Sequence, residues 1–295
     1  MTLKLLVCAT QVMDPRASLE IVEGEGAVRQ REPRPVYRLN PADRHALEEA
    51  VRMKGMLDAE VAVLTAGPSA ARGVLTLCLA RGADRAIHVP CEEHEDQDPW
   101  MTATRLASVI KREDWSLVLC GQQTLDQAGG QVGLILAELL GLPVVTRVVG
   151  VTVDATTQRL VAQRLLERGD REVNECSLPA LVAVVLAADQ PEYVSVHRHL
   201  LSQDGPVTVV SGATALDVEP LWEHVSVSWP RPRPKAIAAP GPEMSAAERI
   251  EFIAVGEQAE KEGRLFEGDP EEAADRIVEL LLERGYLQPP GIEPH

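Results

Sequence analysis

Short apolar runs alternate with amphipathic stretches through the first half of the chain, and this alternation limits the fold more than any other feature. LKLLVCA (3–9), AEVAVLTAG (59–67), ADRAIHVP (83–90) and the run from Ser116 to Cys120 each have the length and apolar content of a strand buried in a parallel sheet. Helical stretches lie between them. One starts at Asn40-Pro41-Ala42-Asp43 and runs to Gly55. Asn suits the N-cap, Pro the first helical position, and an acid the first turn. A second begins at Pro68-Ser69 and ends near Gly82, and a third covers 100–112. Such a β-α repeat predicts an α/β fold: a three-layer, doubly wound, mainly parallel sheet of the Rossmann-like type, covered on both faces. Aromatic residues make up only 3% of the chain, so the core must come from Leu, Val and Ala.

The segment 116–141, SLVLCGQQTLDQAGGQVGLILAELLG, reads as strand, glycine-rich loop and helix. In an open α/β sheet this places backbone N–H groups and a helix N-terminus at the carboxyl edge of the strands, where anionic nucleotides sit. Glycine supplies the left-handed or close-approach geometry such a loop needs. Gln131, near the helix start, has an amide that can donate to a phosphate oxygen. Asp126 is negative and so a poor phosphate ligand; it is expected to order the loop by accepting backbone N–H bonds, or to meet ribose hydroxyls. On these residues alone, an ordinary βα connection without a ligand is an equal alternative.

Beyond Gly141 the pattern changes. VVTRVVGVTVDATTQRLVAQRLLE has a two-residue period and predicts antiparallel strands, and LPALVAVVL (178–186) a further buried strand. The connection after residue 9 is polar, with a hairpin expected between Leu19–Val22 and Val36–Leu39. Residues 229–245 read as a Pro-rich linker. Two helices close the chain. One opens with a capping box, Ser245 with Glu248; the other starts at Asp269-Pro270-Glu271-Glu272. The expected organisation is an α/β domain over 1–205 and a C-terminal linker with a helical arm over 206–295, the arm lying on the main domain or a partner.

The net charge of −16 argues against nucleic acid or an anionic membrane as main partner. The apolar stretches fall short of a membrane span, and no signal peptide is visible at the N-terminus. Five cysteines occur without a CxxC pair, three of them (Cys8, Cys78, Cys120) in apolar runs. They predict reduced, packed thiols and a cytoplasmic location. His197 and His199 make too sparse a ligand set for a metal, and no arrangement argues for hydrolysis.

Five segments together resemble the beta subunit of electron transfer flavoproteins, including its FixA branch. These are LLVCATQVMDP, LNPADRHALEEAVRMKG, VAVLTAGP, LARGADRAIHV and GQQTLDQAGGQVG, in the family's order and spacing over residues 1–200. EGDPEEAADRIVELL resembles the tail of many bacterial members. The resemblance implies a subunit that is not an enzyme in itself. It would pair with an alpha subunit that holds most of a shared FAD, and carry electrons from flavin dehydrogenases to ferredoxin- or quinone-linked partners. It implies an adenine nucleotide in this chain: AMP in ordinary members, a second FAD in electron-bifurcating, FixA-like ones. Carried over by position, the contacts fall at Cys8, at Asn40, Pro41, Ala42 and Asp43, and at Ala66. They continue at Gly121, Gln122, Gln123, Thr124, Leu125, Asp126, Gln127, Ala128, Gly129, Gly130, Gln131 and Val132. Where the family often has Lys, this chain has Gln122.

Residues 184–206 resemble the family's partner-docking loop, with Tyr193 within it and Val196 at the position of its exposed apolar anchor. Glu192 stands where the family has Arg, and Leu201-Ser202-Gln203-Asp204 where it has a Lys-rich run. These changes predict a different partner or lost docking. A stand-alone nucleotide-binding regulatory module on the same fold is the alternative from another class.

Overall fold

The computed structural model describes residues 2–17, 19–22, 27–30, 36–91, 98–186, 193–210, 221, 244–255 and 269–283. In chain order the first elements are β1 (Leu3–Cys8), β2 (Gln11–Met13), β3 (Leu19–Val22), β4 (Ala27–Gln30) and β5 (Tyr37–Leu39). Then come α1 (Pro41–Met56), β6 (Ala59–Gly67), α2 (Arg72–Ala80) after a short 3-10 turn, β7 (Arg85–Pro90), α3 (Pro99–Ile110), β8 (Leu117–Gly121) and α4 (Val132–Leu140). The second half holds β9 (Val144–Asp154), β10 (Arg159–Leu165), β11 (Arg171–Ser177), β12 (Ala180–Val184), α5 (Val196–Ser202) and β13 (Val207–Val209). The last two helices are α6 (Ala246–Val255) and α7 (Pro270–Glu283). The chain divides into two compact units, Met1–Pro230 and Arg231–His295, the second containing α6 and α7.

Nine strands form one sheet in the order β11-β10-β9-β12-β8-β1-β6-β7-β13. Every neighbour from β9 to β13 pairs in parallel, and β10 and β11 extend the sheet as antiparallel strands. The chain winds outward from β1 through β6 to β7, then returns to place β8 on the other side of β1. Right-handed crossovers put the helices of the two directions on opposite faces. Thus α1 and α2 bury Ala46, Leu47, Val74 and Leu75 on one face, against Leu5, Val7, Val61 and Leu119. On the other, α3 and α4 bury Ala103, Leu106, Leu136 and Ala137 against Leu6, Leu64, Val118 and Leu181. The reversal of strand order between β1 and β8 opens a crevice at their carboxyl ends.

The expected α/β sheet is present, and so are the antiparallel strands after Gly141. Two local expectations are corrected. Leu19–Val22 pairs with Ala27–Gln30, not with 36–39; Tyr37–Leu39 pairs instead with Gln11–Met13. The partner strand follows too soon after β3 to be separated from it in the apolar pattern. The sheet also takes strands the pattern did not reveal: β11, whose residues are largely exposed and carry little apolar signal, and β13, three residues long. The capping box is formed, with Ser245 N–H donating to Glu248 Oε2 at 2.7 Å.

Candidate functional site

A cavity of about 240 Å3 lies at the carboxyl ends of β1, β6 and β8. Cys8, Leu64, Ala66 and Cys120 form its apolar floor, and Thr102 and Leu106 of α3, one helical turn apart, form a side. The loop from Gly121 to Gly133 forms most of the rest, and Gln11, Met13 and Tyr37 close the far end.

The loop is held from beneath by the first turn of α1. Asp43 is only 3% exposed. Its carboxylate accepts N–H bonds from Thr10 and from Gly121, each at 2.7 Å, and so ties the ends of β1 and β8 to the helix. The approach is so close that a Cβ on residue 121 would lie 2.3 Å from Asp43 Oδ1, which leaves only glycine. Burial pushes the Asp43 carboxyl up to about 6, against the opposing pull of its bonds to Thr10, Asn40 and Gly121.

Asn40 occupies the N-cap position of α1, but its side chain makes no capping bond to a helix N–H. This corrects the expectation of a helix cap. The amide instead donates to Gln123 O at 3.0 Å and accepts from Leu125 N–H at 3.1 Å. Within the loop, Asp126 Oδ1 accepts from Gln127 N–H at 2.7 Å, and Ala128 and Gly130 take left-handed backbone at φ 52° and 62°.

Helix α4 begins where the loop ends. A Cβ at Gly133 would sit 2.8 Å from Cys120 Sγ, so glycine lets the helix start lie directly on strand β8. The N–H groups of Gly129, Gly130, Gln131, Val132 and Gly133 have no partner among the described residues. They form a donor row at the positive end of a helix, which suits an anion. Burial pushes the Cys8 thiol up to about 12, with a further contribution from Asp43, and pushes Cys120 well above its ordinary value. Neither thiol is a nucleophile here.

Of the residues singled out in the sequence, Cys8, Asp43, Ala66, Gly121, Gln122, Gln123, Thr124, Asp126, Gln127, Gly129, Gly130, Gln131 and Val132 line the cavity. Asn40, Pro41, Ala42, Leu125 and Ala128 do not; Asn40 and Ala42 stand behind the loop and shape it. Sequence reasoning missed Met13 and Tyr37, which the β2–β5 pairing delivers, and the i, i+4 pair Thr102 and Leu106. That spacing was the available signal. Tyr193 and Val196 lie outside the cavity and are 79% and 69% exposed. Ser195 caps α5, accepting from Arg198 N–H, and Leu200 and Leu201 on this helix are also exposed. Residues 187–192 of the expected docking loop lie outside the described residues. The cavity does not reach this helix.

A parallel sheet with a glycine-rich loop and a helix N-terminus at its switch point is an architecture on which α/β proteins commonly bind nucleotides. The electron transfer flavoprotein domain matches this chain over residues 31–215. The caffeyl-CoA reductase-Etf complex subunit CarD of Acetobacterium woodii is 34% identical over 216 residues, 70% of this chain and 78% of its own. The electron transfer flavoprotein subunit beta of Thermoanaerobacterium thermosaccharolyticum is 28% identical over 84% of this chain and 87% of its own length. The acryloyl-CoA reductase electron transfer subunit gamma of Anaerotignum propionicum is 28% identical over 75% and 82%. The chain belongs to the electron transfer flavoprotein family, on its beta-subunit side. No helix among the described residues is long and apolar enough to cross a membrane.

Proposed function

We propose that the chain is the beta subunit of a heterodimeric electron transfer flavoprotein and that its cavity holds an adenine nucleotide, AMP. The observation that carries this reading is the pairing of two unlike surfaces in one cavity. The floor of Cys8, Leu64, Ala66 and Leu106 is an apolar slot suited to a flat base, and the free N–H row from Gly129 to Gly133 suits a phosphate. FAD shared with the alpha subunit supplies the redox chemistry, and this chain supplies position and electrostatics. The subunit is then a carrier rather than an enzyme, with flavin dehydrogenases and ferredoxin- or quinone-linked proteins as redox partners. Its exposed α5, with Tyr193, Val196 and Leu200, is the surface offered to them. The α/β domain runs at least through β13, and the C-terminal arm serves assembly with the alpha subunit in the cytoplasm.

A second reading places a full FAD in this chain, as in bifurcating members. The cavity recognises only features that AMP shares with the adenylate half of FAD. Two of the relatives above are named as parts of reductase complexes. Co-expression with the alpha subunit, followed by absorbance and nucleotide quantitation of the purified heterodimer, tests both. One FAD and one AMP per dimer supports the first reading, and two FAD the second. Purification without an alpha chain or any adenine nucleotide refutes both and favours a stand-alone module.

A further inference from the structure

The cavity has an electrostatic deficit. Two carboxylates, Asp43 and Asp126, line it, and among the described residues no lysine, arginine or histidine does. The chain as a whole carries −16. A phosphate dianion placed against the donor row would meet only backbone dipoles and two like charges. The resemblance to the family offers no cation either, because Gln122 occupies the position where relatives often carry lysine.

Strand β9 supplies one just outside the lining. Its pairing with β12 runs Val182 to Val145 and then Val184 to Val148, so Thr146 and Arg147 together face the single residue Ala183. This is a β-bulge, a device that re-aims a side chain beside a site. At the bulge Arg147 has φ 56°. Gln158 and Arg168 share that backbone, but they stand in the turns that join β9 to β10 and β10 to β11, where the turn accounts for it. Arg147 stands within a strand, and an arginine held in a glycine-like conformation points to a use for its side chain.

Gln122 connects this bulge to the loop. Its Oε1 accepts Arg147 N–H at 2.8 Å, its own N–H donates to Val184 O at 2.7 Å, and its Nε2 lies 3.8 Å from where a Cβ of Gly130 would be. One glutamine amide therefore separates the Arg147 backbone from the donor row. The Arg147 side chain is exposed and makes no hydrogen bond or ion pair among the described residues. Arg81 and Arg85, by contrast, are committed, the first to Glu48 and the second to Glu60 and Glu113.

We propose that Arg147 is the cationic phosphate contact of this pocket, acting from the bulge in place of a charge at position 122, and that it makes the pocket prefer a phosphorylated adenosine over adenosine itself. The inference rests on the adenine-nucleotide reading of the cavity. A guanidinium with paired donors suits a phosphate better than an ammonium does. The phosphate is that of AMP or the adenylate end of FAD, and titrating both tells which.

The test uses the full chain in its heterodimer, stripped of loosely held nucleotide and titrated with adenosine, AMP and FAD in a calorimeter. Arg147→Asn removes the charge while keeping a residue that tolerates left-handed backbone; Arg147→Lys keeps the charge. Arg147→Asn should weaken AMP roughly 10- to 100-fold and leave adenosine unchanged, and Arg147→Lys should recover most of the loss. Unchanged AMP and FAD affinity in Arg147→Asn overturns the proposal and leaves the nucleotide reading standing. So does an equal loss for adenosine and AMP, which would assign Arg147 a structural role. A wild-type heterodimer whose cavity binds none of the three refutes the nucleotide reading, and the proposal falls with it.

Discussion

A methyl group at Gly133 tests how firmly the loop and helix α4 are seated on the sheet. The added Cβ would lie 2.8 Å from Cys120 Sγ, inside an ordinary contact of roughly 3.5–4.0 Å. Either the helix start lifts from β8 or the thiol turns away, and overpacking of this kind costs about 1–3 kcal/mol. The better helix propensity of alanine returns up to about 1 kcal/mol. Gly133→Ala should therefore destabilise the fold by about 1–2 kcal/mol, and a displaced donor row should weaken AMP. Cys120→Ala alone costs about 1 kcal/mol in lost burial. In the double variant the new methyl takes the space of the missing sulfur. The two changes should then couple favourably by about 1–3 kcal/mol. Urea unfolding of the four proteins, with AMP held at one saturating concentration, measures the cycle. Additivity within about 0.5 kcal/mol would show that the helix does not rest on Cys120 and would refute the reasoning.

Asp43 predicts an unusual pH dependence. Its folded value of about 6 exceeds the ordinary 3.8, so its contribution favours folding below the lower value and is lost as pH rises through the upper one. Wild type should lose up to about 3 kcal/mol relative to Asp43→Asn between about pH 4 and 7; a flat difference would mean an ordinary carboxyl. Asn40→Ser keeps a good helix cap but cannot bridge to Gln123 and Leu125, so it should weaken AMP as much as Asn40→Ala; rescue by serine would restore the capping role. Timed alkylation near neutral pH with mass spectrometry should label half-buried Cys176, whose thiol burial also pushes up against the pull of Arg159, before the fully buried Cys8, Cys78 and Cys120. Early labelling of Cys8 would mean that the cavity floor is open to solvent. Leu200→Ser should slow reduction by a dehydrogenase without changing AMP affinity, and an unchanged rate would remove α5 from the docking surface.

The buried parallel strands were legible because each is a continuous apolar run, and the loop at 121–133 because its glycines follow one directly. Asn40 and Asp43 were visible as helix-start residues, yet their use was not. A side chain that satisfies its own helix and one that ties a strand 78 residues away look alike until the chain is folded. Met13 and Tyr37 were missed for a similar reason: two three-residue strands have no periodicity to read, and their pairing is set by the path of the chain. The importance of Arg147 depends on a register shift between β9 and β12, which no single-sequence pattern encodes.

The ties from α1 to the loop also govern time. To lift the loop, the bonds from Gly121 N–H to Asp43, from Asn40 to Gln123 O and from Leu125 N–H to Asn40 must break together, since all three end on one helix turn. At about 1 kcal/mol for each, the open form is populated by roughly one molecule in a hundred or fewer. The amide hydrogens of Gly121 and Leu125 should exchange with solvent in step with one another.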